Sequence, residues 1–341
     1  MDLDKQFMQR AIELAELGRG HVSPNPMVGC VIVHGTKIIG EGYHEFYGGP
    51  HAEPNAIASV KQIELLPEST AYVSLEPCAH WGKTPPCANL LVKERIKKVV
   101  IGAPDSNPLV GGKGINILKT GGIEVVSGIL ESKVRAQNIR FFTFMEKKRP
   151  FVILKWAQTR DNFIARKNYD SKWISNVYSR QLVHKWRTEE DGIMVGTQTA
   201  NYDNPRLNVR DWNGKNPLRI VIDRTLKLDS DLNLFDQSQP TLCYNQIKSE
   251  LNHHLEWVKL QEGFTIEDIL QDLYERKIQS IIVEGGAQLL HHFISSELWD
   301  EARVFIGGKE FGNGISAPSI KGKIKEELNI QGDLLRIISP L

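Results

Sequence analysis

A histidine and a glutamate two residues apart, in His51-Ala52-Glu53, precede Pro77-Cys78 and then Cys87. One imidazole and two thiolates can hold a zinc ion and leave its fourth position to water. Glu53 is not needed as a ligand, and its spacing suits it to move protons between that water and a substrate. Zinc brings the pKa of a bound water toward neutrality. The set therefore points to hydrolytic attack on an amidine-like carbon, with ammonia as the leaving group. A structural zinc site is the alternative. It would need a fourth protein ligand, for which His80 and His44 are the candidates.

His-x-Glu followed by Pro-Cys and a second cysteine is the pattern of zinc-dependent deaminases of nucleobase-like rings, where two residues usually separate the cysteines. Here residues 79–86 intervene, Ala-His-Trp-Gly-Lys-Thr-Pro-Pro. Asn25, in Pro24-Asn25-Pro26, is either an ordinary turn residue or a reader of a ring edge. Lys83, inside the insert, is either solvated or a phosphate partner, and His44 has similar standing. Glu76 suits a supporting or capping role better than that of an acid catalyst. Cys30 and Cys243 lie in apolar runs and read as buried small hydrophobes. Further along, Val283-Glu284-Gly285-Gly286 leads into a helix, whose free N–H groups can meet a phosphate; a plain tight turn is the alternative. Arg187, Arg206 and Arg210 are candidate cations for a second phosphate. Gly111-Gly112-Lys113-Gly114 lacks the G-x-G-x-x-G spacing of a dinucleotide fingerprint. His291 and His292 are neighbours on a helix and do not converge on one ion.

The elements that must position these residues alternate between strand and helix. Phe7, Ala11, Leu14 and Ala15 share a face of an opening helix. Strands are expected over Val28–Val33, Lys37–Tyr43, Ala71–Leu75, Lys98–Ile101 and Glu124–Val126. Helices are expected over Ala52–Lys61, Pro86–Ile96 and Glu131–Met145. Both ligand segments then fall at strand-to-helix junctions, where open sheets place their sites. The charged run Glu146-Lys147-Lys148-Arg149-Pro150 reads as a solvated connector. Beyond it, strands are expected at Phe151–Trp156, Gly192–Val195, Leu218–Ile222 and Ser280–Val283. Ser175 is placed as the cap of a helix reaching Glu189. Thr265 to Asp268 resembles a capping box, and Ala287–Ile294 is a further helix.

At 341 residues the chain is long enough for two cores. Its formal net charge of +1 argues against a dominant attraction to nucleic acid. No apolar run reaches the roughly 20 residues that a membrane crossing needs. The N-terminus shows no secretory signal. Four cysteines, two of them in the metal set, make a disulfide framework unlikely and suit a reducing cytoplasm.

Taken together, His51-Ala52-Glu53, the run Leu75 to Cys87, the Pro24-to-Gly29 loop and the loop Asp105 to Gly114 resemble the bifunctional deaminase–reductases of riboflavin biosynthesis. The resemblance continues through Lys155-Trp156-Ala157, Ser171 to Ser175, Val195-Gly196-Thr197, Asp203 to Leu207 and Val283 to Gly286. It implies an α/β chain with a cytidine-deaminase-like three-layer domain followed by a dihydrofolate-reductase-like domain; the charged connector puts the boundary near Lys148, giving residues 1–147 and 148–341. The first would remove the 2-amino group of a diaminopyrimidinone carrying a ribosylamino 5′-phosphate. It would use one zinc per chain on His51, Cys78 and Cys87, with Glu53 as proton shuttle and Asn25, His44 and Lys83 on the substrate. The second would reduce the ribosyl group to a ribityl chain with NADPH. By position, Ala157, Trp173, Thr199, Asp203, Gly286, Ala287, Gln288, Leu289, Leu290, His291 and His292 would contact NADPH. Ser171, Arg187, Leu207, Arg210 and Glu284 would contact the sugar phosphate, with Lys155 at the reacting carbon. The resemblance also implies small-molecule substrates, no nucleic-acid or membrane partner, and a possible homo-oligomer. Three positions depart from the family pattern: Ala79 for a common serine, Asn162 for a turn glycine, and Arg224 where a small polar residue is usual. The alternatives are a deaminase of another nucleobase-like substrate with a degenerate reductase domain, and a structural zinc protein.

Overall fold

The computed structural model describes residues 2–79, 86–107 and 111–341, and the chain divides into two compact units, Met1–Lys148 and Arg149–Leu341. In the first unit α1 (Leu3–Glu16) precedes the hairpin β1 (Gly29–His34) and β2 (Lys37–Tyr43). Then come α2 (Ala52–Ala58), β3 (Thr70–Leu75), α3 (Cys87–Lys93), β4 (Lys98–Ala103), α4 (Lys113–Thr120), β5 (Glu124–Ser127), α5 (Glu131–Gln137) and α6 (Ile139–Lys147). The sheet runs β2-β1-β3-β4-β5, antiparallel through β1 and parallel from β3 onward. Alternate strand residues face opposite ways, so each face has its own core. Ala52, Ala56, Ala88, Leu91 and Leu118 bring α2, α3 and α4 onto one face, and Met8, Ala11, Leu14, Val134 and Phe142 bring α1, α5 and α6 onto the other. The result is the three-layer arrangement of a cytidine-deaminase-like domain.

The second unit holds β6 (Phe151–Gln158), β7 (Phe163–Ala165), α7 (Val177–Glu189), β8 (Gly192–Gly196), α8 (Thr197–Asp203), β9 (Leu218–Ile222), β10 (Thr241–Asn245), β11 (Glu250–Asn252) and β12 (Leu255–Lys259). It continues with α9 (Ile266–Glu275), β13 (Ser280–Val283), α10 (Ala287–Ser295), β14 (Glu301–Ile306), β15 (Ile315–Ser316), β16 (Lys323–Ile330) and β17 (Asp333–Ser339). Its main sheet is β11-β12-β10-β9-β8-β13-β6-β14-β17-β16. From β12 to β14 every neighbouring pair is parallel, so the C-terminal strand ends lie along one edge, where ligands of such sheets bind. α9 and α10 cover one face through Ile269, Leu273, Leu290 and Phe293, and α7 and α8 cover the other through Val183, Trp186 and Ala200. No helix among the described residues is long and apolar enough to cross a membrane.

Three local expectations change. The helix expected over Glu131–Met145 is two helices, broken at Asn138. The buried Asn138 amide accepts from Met27 N at 2.8 Å and donates to Met27 O at 2.9 Å. The cap of α7 is Asn176 rather than Ser175, with its side chain accepting from Ser179 N at 3.0 Å. The helix after His51 stops at Ala58, where the Ser59 hydroxyl donates to Ala56 O and accepts from Glu41 N. The Asn162 turn survives the loss of its glycine. Asn162 adopts φ 65° and its side chain accepts from Gln158 at 2.8 Å, since asparagine tolerates the left-handed region. The capping box at Thr265 is present, with Asp268 accepting from Thr265 N at 2.7 Å.

Asn138→Ala would leave both Met27 backbone groups buried without partners. Chemical denaturation is expected to show a loss of about 2–4 kcal/mol in the first unit. Unchanged stability would mean that water replaces the amide.

Candidate active sites

In the first unit the candidate groups collect at the C-terminal ends of β3 and β4. His51 is the N-cap residue of α2, which puts Glu53 in the first turn and turns both side chains toward the end of β3. Cys78 follows β3 directly and Cys87 opens α3, the two joined by a Cys87 N–H donation to Cys78 Sγ at 3.3 Å. His51 Nδ1 lies 3.6 Å from Cys78 Sγ and 3.3 Å from Cys87 Sγ, and all three donor atoms fall within 4.8 Å of one another. Ligand bonds of the usual zinc lengths at a tetrahedral angle put nitrogen and sulfur about 3.6 Å apart. The donor set and its spacing therefore fit zinc. It is the only such group of three among the described residues. Hydrogen bonding to Cys87 and then to His51 draws the Cys78 thiol below its ordinary range against the effect of burial, while the same bond and burial push Cys87 up. Cys30 and Cys243 are free and buried.

Glu53 is 3% exposed, and burial, with the Cys78 thiolate adding, pushes its carboxyl up to about 7. A group poised near neutrality can both accept and deliver a proton. Asn25, His44, His51, Glu53 and Cys78 line one cavity of about 310 Å³. His44 Nδ1 is 2.9 Å from Pro50 O, an acceptor only, so this nitrogen carries the proton. Nε2 then accepts from Asn25 Nδ2 at 3.0 Å, leaving the Asn25 carbonyl oxygen free to accept from a ring edge. Burial lowers the His44 pKa and keeps the imidazole neutral for this role. Glu76 is a supporting group: its buried carboxylate accepts from Asp105 N at 3.3 Å, Gly112 N at 3.1 Å and Ile115 N at 3.2 Å. α4 thereby presses on the Cys78 segment so closely that a Cβ on Gly114 would sit 2.0 Å from Pro77 O. Lys83 and His80 lie outside the described residues. Asp105 and Asn107 also line the cavity, with Phe141 and Met145 from α6. The loop holding Asp105 and Asn107 belongs to the family resemblance, which gives neither residue a role.

In the second unit the strand ends and α7 line a cavity of about 570 Å³. Lys155, Ala157, Ser171, Trp173, Arg187, Thr199, Asp203, Leu207, Arg210, Glu284, Gly286, Ala287 and Gln288 all reach it. Leu289 and His292 line a smaller neighbouring cavity. Leu290 instead packs in the core, His291 is exposed and lines neither cavity, and Arg206 is likewise exposed outside the lining. Glu284 follows β13 and faces Arg187 at 3.0 Å and Lys155 at 3.5 Å. Burial opposes its charge, but Arg187 and Lys155 prevail and hold its pKa at about 2. Burial lowers Lys155 despite Glu284. Glu284 Oε1 and Arg187 Nε are buried without partners among the described residues, so a donor and an acceptor remain for a polyhydroxylated ligand. α10 begins at the cavity wall without a side-chain cap, leaving first-turn N–H groups for phosphate. These features, with the exposed Trp173 ring at the rim, fit a dinucleotide beside a sugar phosphate. Trp173 is held by Arg180, whose guanidinium lies 4.5 Å from the indole centroid, and by Lys309 donating to Trp173 O at 2.7 Å. Next to it, a Cβ on Gly307 would sit 2.3 Å from Ile174 O.

Sequence reasoning missed the Tyr169–Tyr202 stack on the wall, with centroids 4.1 Å apart, and also His184. His184 lies one turn before Arg187 on α7. Its Nδ1 accepts from Arg210 N at 3.4 Å, and its Nε2 is 3.4 Å from Asp211. Burial, then Arg187 and Arg210, lower its pKa to about 4, so it is a neutral prop under the Arg210 backbone.

The profile described as the cytidine and deoxycytidylate deaminase zinc-binding region matches residues 1–103, and that of the RibD C-terminal domain matches residues 150–333. The riboflavin biosynthesis protein RibD of Actinobacillus pleuropneumoniae is 39% identical over 99% of this chain and 96% of its own length. That of Aquifex aeolicus is 37% identical over 97% and 94%. A Thermotoga maritima crystal structure described as a diaminohydroxyphosphoribosylaminopyrimidine deaminase/5-amino-6-(5-phosphoribosylamino)uracil reductase superposes with a TM-score of 0.91 at 38% identity, covering 99% of both chains. RibD of Acinetobacter baumannii superposes with the same TM-score at 33% identity and the same coverage.

Two measurements follow from this geometry. Cys87→Ala removes one of three donors, so metal analysis should find zinc in the wild type and little in the variant; full retention would remove Cys87 from the site. His184 binds its proton more weakly folded than unfolded, so its contribution to stability is present above the ordinary histidine value near 6.5 and is lost as pH falls toward 4. Urea unfolding at pH 7 and pH 5 should show a smaller loss on acidification for His184→Gln than for the wild type. Equal losses would place the titration elsewhere.

Proposed function

Because this chain belongs to the RibD family of bifunctional riboflavin biosynthesis deaminase–reductases, we propose that its two cavities carry the two reactions separately. The first unit deaminates the 2,5-diamino-6-ribosylamino-4(3H)-pyrimidinone 5′-phosphate. The second reduces the ribosyl group, giving 5-amino-6-ribitylaminouracil 5′-phosphate. The observation supporting this most strongly is that Glu53 is buried beside the three-donor cluster in a cavity of its own, while Glu284, Arg187 and Lys155 occupy another.

In the first unit His51, Cys78 and Cys87 would hold zinc, which when bound supplies Lewis acidity and a readily ionised water. Glu53 takes a proton from the attacking water and returns it to the departing nitrogen. The new C–O bond replaces the C–N bond, and ammonia leaves. Asn25, held by neutral His44, accepts from the ring edge, and Asp105 and Asn107 bound the same space. Lys83 is assigned to the phosphate on resemblance alone.

In the second unit NADPH, when bound, supplies the hydride. Glu284 Oε1 accepts from a sugar hydroxyl, and Arg187 Nε donates to the substrate. Lys155 would lie beside the carbon that takes the hydride, and its Nζ, whose pKa burial lowers, would donate a proton to the ring oxygen as the bond from that carbon to it breaks. Arg210, on its His184 prop, binds phosphate, with Ser171 and Leu207 beside it. Ala157, Trp173, Thr199, Asp203 and the start of α10 would hold the cofactor. We place the enzyme in the cytoplasm, where thiols stay reduced. We assign it no nucleic-acid or membrane partner and leave self-association open.

Glu53→Gln keeps size and removes the proton acceptor. The variant should keep zinc and lose deamination by roughly a hundredfold or more, while still oxidising NADPH with the deaminated ribosyl substrate. Arg210→Ala should weaken reduction and leave ammonia release near normal. Mass spectrometry of each half-reaction in both variants tests the assignment. Joint loss in folded protein would mean that one site serves both reactions.

A further inference from the structure

The loop from β7 to α7 carries Ser171 and Trp173 to the reduction cavity, and its first half closes in a tight turn. Tyr169 N donates to Arg166 O at 2.9 Å, and Arg166 N donates to Asp170 O at 2.9 Å. Tyr169 is the last residue enclosed by that turn and takes φ 68°. Turns of this kind ordinarily put glycine there, because a bulky side chain is strained in the left-handed region. A tyrosine in a glycine conformation persists only where its surroundings hold it. What holds this one is a second tyrosine. The Tyr169 ring stacks on that of Tyr202 in α8, with centroids 4.1 Å apart and planes 8° from parallel. Both rings are exposed and both line the cavity, so the stack is no part of a core.

On one side the loop is moored to the segment after β14. Lys309 donates to Trp173 O at 2.7 Å, and the Arg166 guanidinium lies 4.2 Å from the Phe311 ring centroid. Toward α8 it has the tyrosine stack and a hydrogen bond from Ser171 Oγ to Asp203 at 3.3 Å. Both ends of that hydrogen bond have other work, Ser171 on the sugar phosphate and Asp203 on the cofactor, so a loaded site draws on each of them. The stack joins two rings with no ligand assigned to either. We infer that Tyr169 and Tyr202 are positioning residues for the reduction. Their stack ties the loop to α8 across the cavity and so presents Ser171 and Trp173 together before either ligand arrives. A loop ordered in advance spares the ligands the cost of ordering it. Lys155, Glu284 and Arg187 lie on β6, after β13 and on α7, outside this loop, so the stack acts on binding and not on the hydride step. The inference rests on the proposal that this cavity is the reduction site.

Steady-state kinetics of the full zinc-loaded chain, with NADPH and the deaminated ribosyl substrate, test it. Tyr169→Ala and Tyr202→Ala should each raise KM for both ligands roughly 3- to 10-fold, the range of one lost aromatic pair. The value of kcat should hold within about twofold, the pattern of lost uniform binding. The double alanine variant should lose no more than either single one, because a ring without its partner has nothing left to contribute. Tyr169→Phe and Tyr202→Phe should match the wild type, since stacking needs only the ring. Trypsin should cut after the exposed Arg166 or Lys167 faster in the alanine variants and at the wild-type rate in the phenylalanine ones. An unchanged KM, a fall in kcat alone, additive losses in the double variant, or losses in the phenylalanine variants overturns the inference while leaving the cavity its reaction. A wild type that does not oxidise NADPH overturns the reading of the cavity, and this inference with it.

Discussion

Glu284 stays ionised out of water because Arg187 and Lys155 stand against it, and the second unit is arranged to keep those three side chains together. β13 lies between β8 and β6 in parallel register, with Val283 opposite Leu154. The next residue on each strand, Glu284 and Lys155, therefore emerges at the same level of the sheet edge. Arg187 arrives from the other direction, on α7, whose Val183 and Trp186 pack on the sheet face. Arg187 is also fixed by donating to Asn208 O at 2.9 Å. Removing one member of a buried charge group commonly costs about 3–5 kcal/mol, because the others are left uncompensated. The site is thus bound into the fold, and the orphaned Oε1 and Nε atoms are the part of that charge group left for a ligand.

The first unit solves a related problem with backbone donors. Glu76 is buried next to a cluster that needs thiolates, where another negative charge is unwelcome. Three backbone N–H groups from the segment leading into α4 absorb it. The same bonds hold α4 against Pro77, which fixes where Cys78 begins. Asp223 repeats the device in the second unit. In each case a buried acid beside a cavity acts as a fastener for the loop that follows its strand.

Whatever depends on local spacing was legible in the sequence. His51 and Glu53 sit on one helix start, Cys78 and Cys87 flank one insert, and Thr265 with Asp268 forms one box. Asn162 was readable as a glycine substitute because its backbone preference is intrinsic. What was not legible depends on distant partners. Ser175 and Asn176 are both good cap residues, and the choice falls on Asn176 because its N–H meets Asp333 at 2.7 Å and its amide meets Ile330 O at 2.7 Å. The break at Asn138 needs Met27. His184 becomes a prop only after α7 lies beside the Arg210 segment. The edge strand β16 is exposed along nearly its whole length and opens Lys-Ile-Lys-Glu-Glu, a charged run that masks the strand in the sequence.

The Asn138–Met27 tie has a bearing on how the first unit comes into being. The Asn25 loop is pinned from a residue 111 positions further along the chain, and Phe141 and Met145 just beyond that residue wall the same cavity. All three described metal donors lie before residue 88, yet the space they serve is not enclosed until α6 docks. During synthesis, which proceeds from the N-terminus, the zinc-binding cluster can therefore gather while the substrate chamber is still open, with the ordering cost of so long a loop yet to be met. Metal acquisition and chamber closure become separate events in the life of the chain, the second waiting on the last helix before the reductase begins.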